Sequence, residues 1–219
     1  MNNLKVSILD DLSEVSQKKW DLCACPEVNI GGRPLDPFTT YRFLRALEKS
    51  NSVGKDSGWL PKHCIIYNKN EMVGSAPLYL KQHSQGEYIF DHNWAQAYNQ
   101  AGGSYYPKLQ GSVPFTPVTG RRFLSIPGFE DSIQPALMAS LTELAIKNNI
   151  SSIHFTFCSK KESLVKTGHN FQVRETVQYH WHNKNYSTFS EFLETLSSRK
   201  RKAIKKERET AKSFGGKIE

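Results

Sequence analysis

Hydrophobic and polar positions along this chain repeat with two periods, and the switches between them mark the elements. Residues 5–9 alternate as a short strand. Ser13 opens a helix reaching about Leu22, with Glu14 in its first turn. Residues 29–37 (NIGGRPLDP) have loop composition. Thr39 or Thr40 caps a further helix with Phe43, Leu44 and Leu47 on one face, and residues 50–62 form a polar, glycine-rich loop. Two apolar runs, 63–67 and 72–80, flank Asn68-Lys69-Asn70-Glu71, which is a hairpin signature. Pro77 places the second strand at an edge or in a bulge. Residues 87–90 extend the sheet. Asp91 then caps a helix carrying Trp94, Ala95, Tyr98 and Ala101, which Gly102-Gly103 ends.

Residues 105–122 (YYPKLQGSVPFTPVTGRR) read as ordered loop and short strand, and 132–146 as an amphipathic helix through Ile133, Leu137, Leu141, Leu144 and Ala145. Residues 151–158 alternate, with Ile153, Phe155 and Phe157 on one face and His154, Thr156 and Cys158 on the other. A helical turn over 164–167 closes at Gly168. Residues 172–182 alternate again as a strand, Val173, Val177, Tyr179 and Trp181 facing one way. Ser187 or Ser190 opens a last helix along Phe189, Phe192, Leu193, Leu196, Ile204 and Ala211. Run continuously to Ser213, that helix spans about 25 residues and roughly 38 Å. Gly215-Gly216 stops it, and residues 217–219 look like the opening of another strand. The order of elements predicts a mixed α/β domain around one sheet, without internal repeats.

Composition narrows the class. A chain of 219 residues makes one large domain or two small ones. It can bury roughly 70% of its unfolded surface without metal or disulfide staples. A hydrophobic fraction of 38% and an aromatic fraction of 11% exclude disorder. No apolar run approaches the ~18 residues of a membrane span. The opening MNNLKVSILDDLSE has no apolar segment of the signal-peptide kind. Four cysteines (Cys23, Cys25, Cys64, Cys158) are too few and too scattered for a disulfide scaffold. A reduced, cytoplasmic protein is the expectation.

Charge changes the picture at one end. The net charge is +8, and Arg199 to Lys217 carries nine basic residues against Glu207 and Glu209. The rest of the chain is nearly neutral. A local basic stripe suits polyphosphate, nucleic acid or an anionic surface, and equally a solvated helix face.

Candidate chemistry is sparse. Cys23 and Cys25 lack the further ligands a structural zinc needs, so they read as core cysteines and no metal is expected. His180-Trp181-His182 puts two imidazoles on one strand face about 7 Å apart, a pair that can bind metal or shuttle protons, though no third metal ligand is evident and the plainer reading is the wet face of a sheet. There is no G-x-S-x-G, no Walker loop, no G-x-G-x-x-G, and no pyrophosphate loop of the acetyl-CoA type. No cofactor is therefore expected. The densest polar region is 92–122, where Tyr106, Lys108 and Arg121 sit among prolines and suit an anionic ligand group, the plainer reading being a packed structural loop.

The strings GWLPKH, MVGSAPLYLKQHSQGEYIFDHNWAQAY and AGGSYYPKLQGSVPFTPVTGRRFL, continued by SSIHFTF, QYHWHNKNY and FLETLSSRKRKAIKKERE, resemble the bacterial FemAB-like family of peptidoglycan biosynthesis/recognition proteins. The resemblance runs from about Pro37 to Glu219. It implies a GNAT-like (acyl-CoA N-acyltransferase-like) fold, a mixed sheet flanked by helices and followed by a long basic helix. Residues 1–186 would be a first GNAT-like domain. Residues 187–219 would be the basic helix and the start of a second, truncated one. It also implies transfer of an amino acid or acyl group to an amine of a cell-wall precursor, from aminoacyl-tRNA or another acyl carrier. On that reading Tyr106, Lys108, Arg121 and His180 contact substrate, and Arg199, Arg201, Lys205 and Arg208 hold phosphates. No catalytic residue carries over. A lone unit would complete its site as a homodimer or with a partner. The alternative is a non-catalytic module that binds the precursor or another anionic ligand.

Overall fold

The computed structural model describes residues 4–32, 35–163 and 171–216. Two compact units result, one ending at Val173 and the other starting at Arg174. In the first unit the chain runs through β1 (Leu4–Leu9), α1 (Gln17–Ala24), α2 (Glu27–Ile30), α3 (Tyr41–Lys49), β2 (Trp59–Pro61), β3 (His63–Asn68), β4 (Glu71–Ala76) and β5 (Leu78–Lys81). It continues through α4 (His92–Gln100), β6 (Lys108–Gly111), β7 (Leu124–Ser125), α5 (Glu130–Lys147), β8 (Ile153–Phe155) and α6 (Lys160–Ser163). The second unit holds α7 (Phe189–Glu194) and α8 (Ser198–Ser213).

The strands form two sheets rather than the single one expected, ordered β1-β3-β4-β7 and β2-β5-β6-β8. Pro77 is the reason. A proline nitrogen cannot donate to a ladder, so the apolar run 72–80 divides at Pro77. Its first half, β4, pairs with β3 and β7; its second half, β5, pairs with β2 and β6. Neither half is an edge strand.

Alternation in β3 sets the layers. Cys64 and Ile66 face a core built on α5, with Ile133, Leu137 and Leu141, while Ile65 faces Trp20, Cys23 and Leu44 of α1 and α3. Leu78 and Leu109 of the second sheet enter the α5 core as well, so one helix joins both sheets. Helix starts follow capping chemistry. Ser16 accepts from the Lys19 amide and Thr40 from the Phe43 amide. The helix expected from Ser13 begins instead as a short 3-10 turn under an Asp11/Glu14 capping box, and α1 starts only after it. Residues 87–89 make bends, and 87–90 form no strand.

Two further expectations give way. Residues 172–182 have no ladder partner among the described residues, and Val177 and Tyr179 are 81% and 98% exposed. Alternation specifies a two-faced backbone, but a strand also needs a neighbouring edge. The single long helix divides as well. The Thr195 hydroxyl donates to the Phe192 carbonyl at 2.7 Å, and Thr195 closes α7 before Ser197 opens α8. Hydroxyl side chains that bond the local backbone compete with helix continuation. The helical turn expected over 164–167 and the strand start over 217–219 lie outside the described residues.

Candidate functional site

The first unit carries an open cleft of about 810 Å³. Its walls come from α2, the segment 35–38, the loop 118–121, the start of α5 and the start of α6. That volume is in the range that small-molecule and peptide ligands fill.

Two side chains brace its wall, the buried Arg122 from behind and the half-buried Glu162 from within the lining. Arg122 is 1% exposed and spends its guanidinium on carbonyls: Nε donates to Thr156 O at 2.9 Å, Nη1 to Arg121 O at 3.0 Å and Nη2 to Val118 O at 2.8 Å. Glu162 gathers four donors, the amides of Arg122, Phe123 and Ser159 and the Ser159 hydroxyl, at 2.8 to 3.0 Å. Together they fix the 118–123 loop against α6. Arg121 lies 3.5 Å from Glu27 and donates to the carbonyls of Cys23 and Ala24, so it pins the end of α1 and the start of α2. Among the described lining residues, Glu27, Asp36, Glu130, Asp131 and Glu162 outnumber Arg121 and Lys161. The cleft is acidic, and it exposes the apolar side chains of Ile30, Leu35 and Val118.

A second polar cluster lies in the other sheet. Lys81 of β5 and Lys108 of β6 are register partners on adjacent antiparallel strands, and both are 0% exposed. Two ammonium groups placed so would repel. Carboxylates from the β5–α4 connection separate them: Lys108 Nζ is 2.7 Å from Glu87 and 2.6 Å from Asp91, and Glu87 is 4.0 Å from Lys81 Nζ. Lys81 also donates to Gln85 O at 3.2 Å and stands 3.6 Å over the Trp59 ring. Burial, with Lys108 beside it, pushes the Lys81 ammonium down to about 7, against the pull of Glu87. Burial likewise raises the Glu87 carboxyl. For Asp91 burial works upward but is outweighed by the Lys108 hydrogen bond and charge, and the carboxyl is held below its usual range. His154 lies 3.8 Å from Asp91, and Tyr106 shares a 2.6 Å hydrogen bond with Ser84.

The candidates from the sequence therefore part company. Arg121 lines the cleft. Lys108 and Tyr106 belong to the other cluster, and Lys108 is a buried cation already committed to two carboxylates rather than a loop cation facing solvent. His180 is in the second unit, exposed, with its ring stacked near His182 at 6.2 Å between centroids. Arg199, Lys205 and Arg208 are exposed along α8, and Arg208 packs over the Phe189 ring at 4.1 Å. The cysteines are free thiols; burial pushes Cys23 to about 12 and Cys25 to about 11, so neither carries a thiolate at neutral pH. Sequence reading missed Glu27, Asp36 and Glu162 as cleft residues. It also missed Lys81 and its partners, although a lysine within the apolar alternation of LYLK was a visible signal.

Residues 11–219 match the FemAB-like family, described as peptidoglycan biosynthesis/recognition. The chain belongs to that family. No curated protein matches this FemAB-like chain. Among solved structures it is similar to an acetyltransferase of Trypanosoma brucei at 14% identity, with a TM-score of 0.42, covering 82% of this chain and 100% of that one. It is also similar to an aminoglycoside acetyltransferase from an uncultured soil metagenomic sample, in complex with sisomicin, at 12% identity with a TM-score of 0.44, covering 83% and 97% respectively. Family membership rests on the sequence match. Among the described residues, no helix is long and apolar enough to cross a membrane.

Proposed function

We propose that this FemAB-like chain serves acyl or aminoacyl transfer to an amine of a cell-wall precursor, and that the acidic cleft holds the amine-bearing acceptor. The observation that carries this is the cleft's composition, an excess of carboxylates over cations around exposed apolar side chains. Such a lining favours an ammonium-bearing peptide and disfavours an anionic group, which moves the reading away from Arg121 as an anion holder. Arg121 instead shapes the wall.

The chemistry asks for positioning more than for a nucleophilic side chain. The bound ammonium first releases one proton to solvent; the neutral amine then attacks the activated carbonyl, the C–N bond forms and the ester bond to the carrier breaks. The proton lost by the amine is balanced by one gained at the leaving oxygen. With an aminoacyl-tRNA donor, Arg199, Arg201, Lys205 and Arg208 of α8 supply phosphate contacts that salt weakens. A single compact unit with a cleft also suits recognition without turnover.

The test incubates the protein with aminoacylated tRNA, or an acyl thioester, and a muramyl pentapeptide bearing a free side-chain amine, and weighs the acceptor by mass spectrometry. The expected result is a mass gain of one transferred group, lost in Val118→Trp, which fills the cleft from an exposed position. Saturable binding with no mass gain under either donor would leave a recognition module and overturn the transfer reading.

A further inference from the structure

The second unit leaves unburied what a fold ordinarily encloses. Among its described residues only Leu193 is buried. Trp181 is 64% exposed, and Phe214, which closes α8, is 88% exposed. Val177 and Tyr179, at alternating positions before Trp181, stand almost wholly in water. The rings lead to α8 without a break. Trp181 lies 6.2 Å from Phe192, Phe192 lies 5.7 Å from Phe189, and the Arg208 guanidinium stands 4.1 Å over Phe189. An apolar band of this size exceeds the scattered apolar exposure of an ordinary surface. It ends against a cationic helix.

That helix is charged on one side. At about 100° per residue, Arg199, Arg201, Lys202, Lys205, Lys206, Arg208 and Lys212 fall within one half of its circumference, and Glu209 is the only acid among them. The other half holds Ala203, Ile204, Ala211 and Phe214, with Thr210, Lys200 and Glu207, and has no net charge. On the cationic half like charges stand one turn apart, Arg201 over Lys205, Lys202 over Lys206 and Arg208 over Lys212, which weakens a helix. No cation of α8 pairs with a carboxylate among the described residues. No residue of α8 is buried, so packing does little to offset the repulsion. A surface of negative charge would offset it. Arg208 marks the border where the apolar band and the cationic half meet.

From this juxtaposition we infer that the second unit docks on an anionic bilayer, the cationic half of α8 against lipid phosphates and the band from Val177 to Trp181 at the headgroup level. Tryptophan and tyrosine settle at that level because each is apolar at one end and polar at the other. Clustered lysines and arginines draw a helix to acidic lipids, and apolar contact adds to the pull. A nucleic acid would take up the cations and leave Val177 and Phe214 in water. A folded protein would need a separate hollow for each protruding side chain, whereas a bilayer interface needs none. The inference rests on the second unit alone and not on the transfer reading. It assigns lipid phosphates to cations for which an aminoacyl-tRNA would compete.

The experiment mixes the whole chain with vesicles of phosphatidylcholine alone, or of phosphatidylcholine with about one-third phosphatidylglycerol, at 50 and 500 mM salt, and separates bound protein by flotation. A single-stranded oligoribonucleotide is titrated in parallel at equal phosphate concentration. Two variants are compared with the parent after circular dichroism and melting confirm the fold: Lys202→Gln with Lys205→Gln and Lys206→Gln, and Val177→Ser with Tyr179→Ser. All five positions are exposed. The expected result is binding to the anionic vesicles at least tenfold stronger than to phosphatidylcholine, and at least tenfold weaker at the higher salt. The lysine variant should lose at least tenfold. The Val177/Tyr179 variant should lose at least threefold, and the fluorescence of Trp181 should shift to the blue on binding, a shift absent in Trp181→Phe. Equal binding to both vesicles, binding to neither, full binding by the Val177/Tyr179 variant, or preference for the oligoribonucleotide over anionic vesicles would each overturn it. Any of these results leaves the mass-gain assay of the transfer reading untouched.

Discussion

Lys81 is the residue whose placement has the clearest cost. Its ammonium, pushed from 10.5 to about 7 by burial, binds fewer protons folded than unfolded between those values. Folding stability from this group therefore rises as pH climbs from about 7 to 10.5 and is lost as pH falls toward 7. Removing it flattens that slope: Lys81→Met should show a smaller gain in urea-unfolding free energy from pH 7 to pH 9 than the parent. An equal slope would contradict the neutral, buried lysine. Lys108 predicts the opposite behaviour on mutation. Lys108→Met leaves Glu87 and Asp91 buried without their cation, and unfolding free energy should fall by about 3–5 kcal/mol. At this scale the sequence was partly legible. Arg121 could be picked out as a site residue, but its role as a clamp on two carbonyls could not. Lys108 looked like a loop cation because a string shows a charge and not the carboxylates that reach it from 17 and 21 residues away.

Elements were legible where one local rule decides. Thr40 at the start of α3, the β3–β4 turn and the apolar stripe of α5 follow from capping, turn chemistry and period. Where a distant partner decides, the string misled. Residues 172–182 carry strand periodicity and pair with nothing among the described residues. The run 72–80 reads as one apolar stretch and yet serves two sheets. Helix packing on β4 gives a direct check. A Cβ at Gly74 would stand 2.6 Å from Ile133 Cδ1 and 2.9 Å from its Cγ1. Gly74→Ala should cost about 1–3 kcal/mol of stability in a denaturant titration. Adding Ile133→Ala should cost less in that background than alone, since the two changes share one space.

At the scale of the molecule, family membership was readable from long sequence strings, and mixed α/β architecture from the order of elements. The acidic cleft was not. It gathers Glu27, Asp36, Arg121, Glu130 and Glu162 from five separated stretches, none of which carries a motif. On the proposed function, its carboxylates select an amine. The most direct measurement is calorimetric titration of the protein with a muramyl pentapeptide bearing a free side-chain amine, beside the same peptide with that amine acetylated. The predicted result is saturable binding of the free amine, at least tenfold weaker after acetylation and absent in Val118→Trp. Equal affinity for the two peptides, or binding that survives Val118→Trp, would contradict an acceptor site in this cleft.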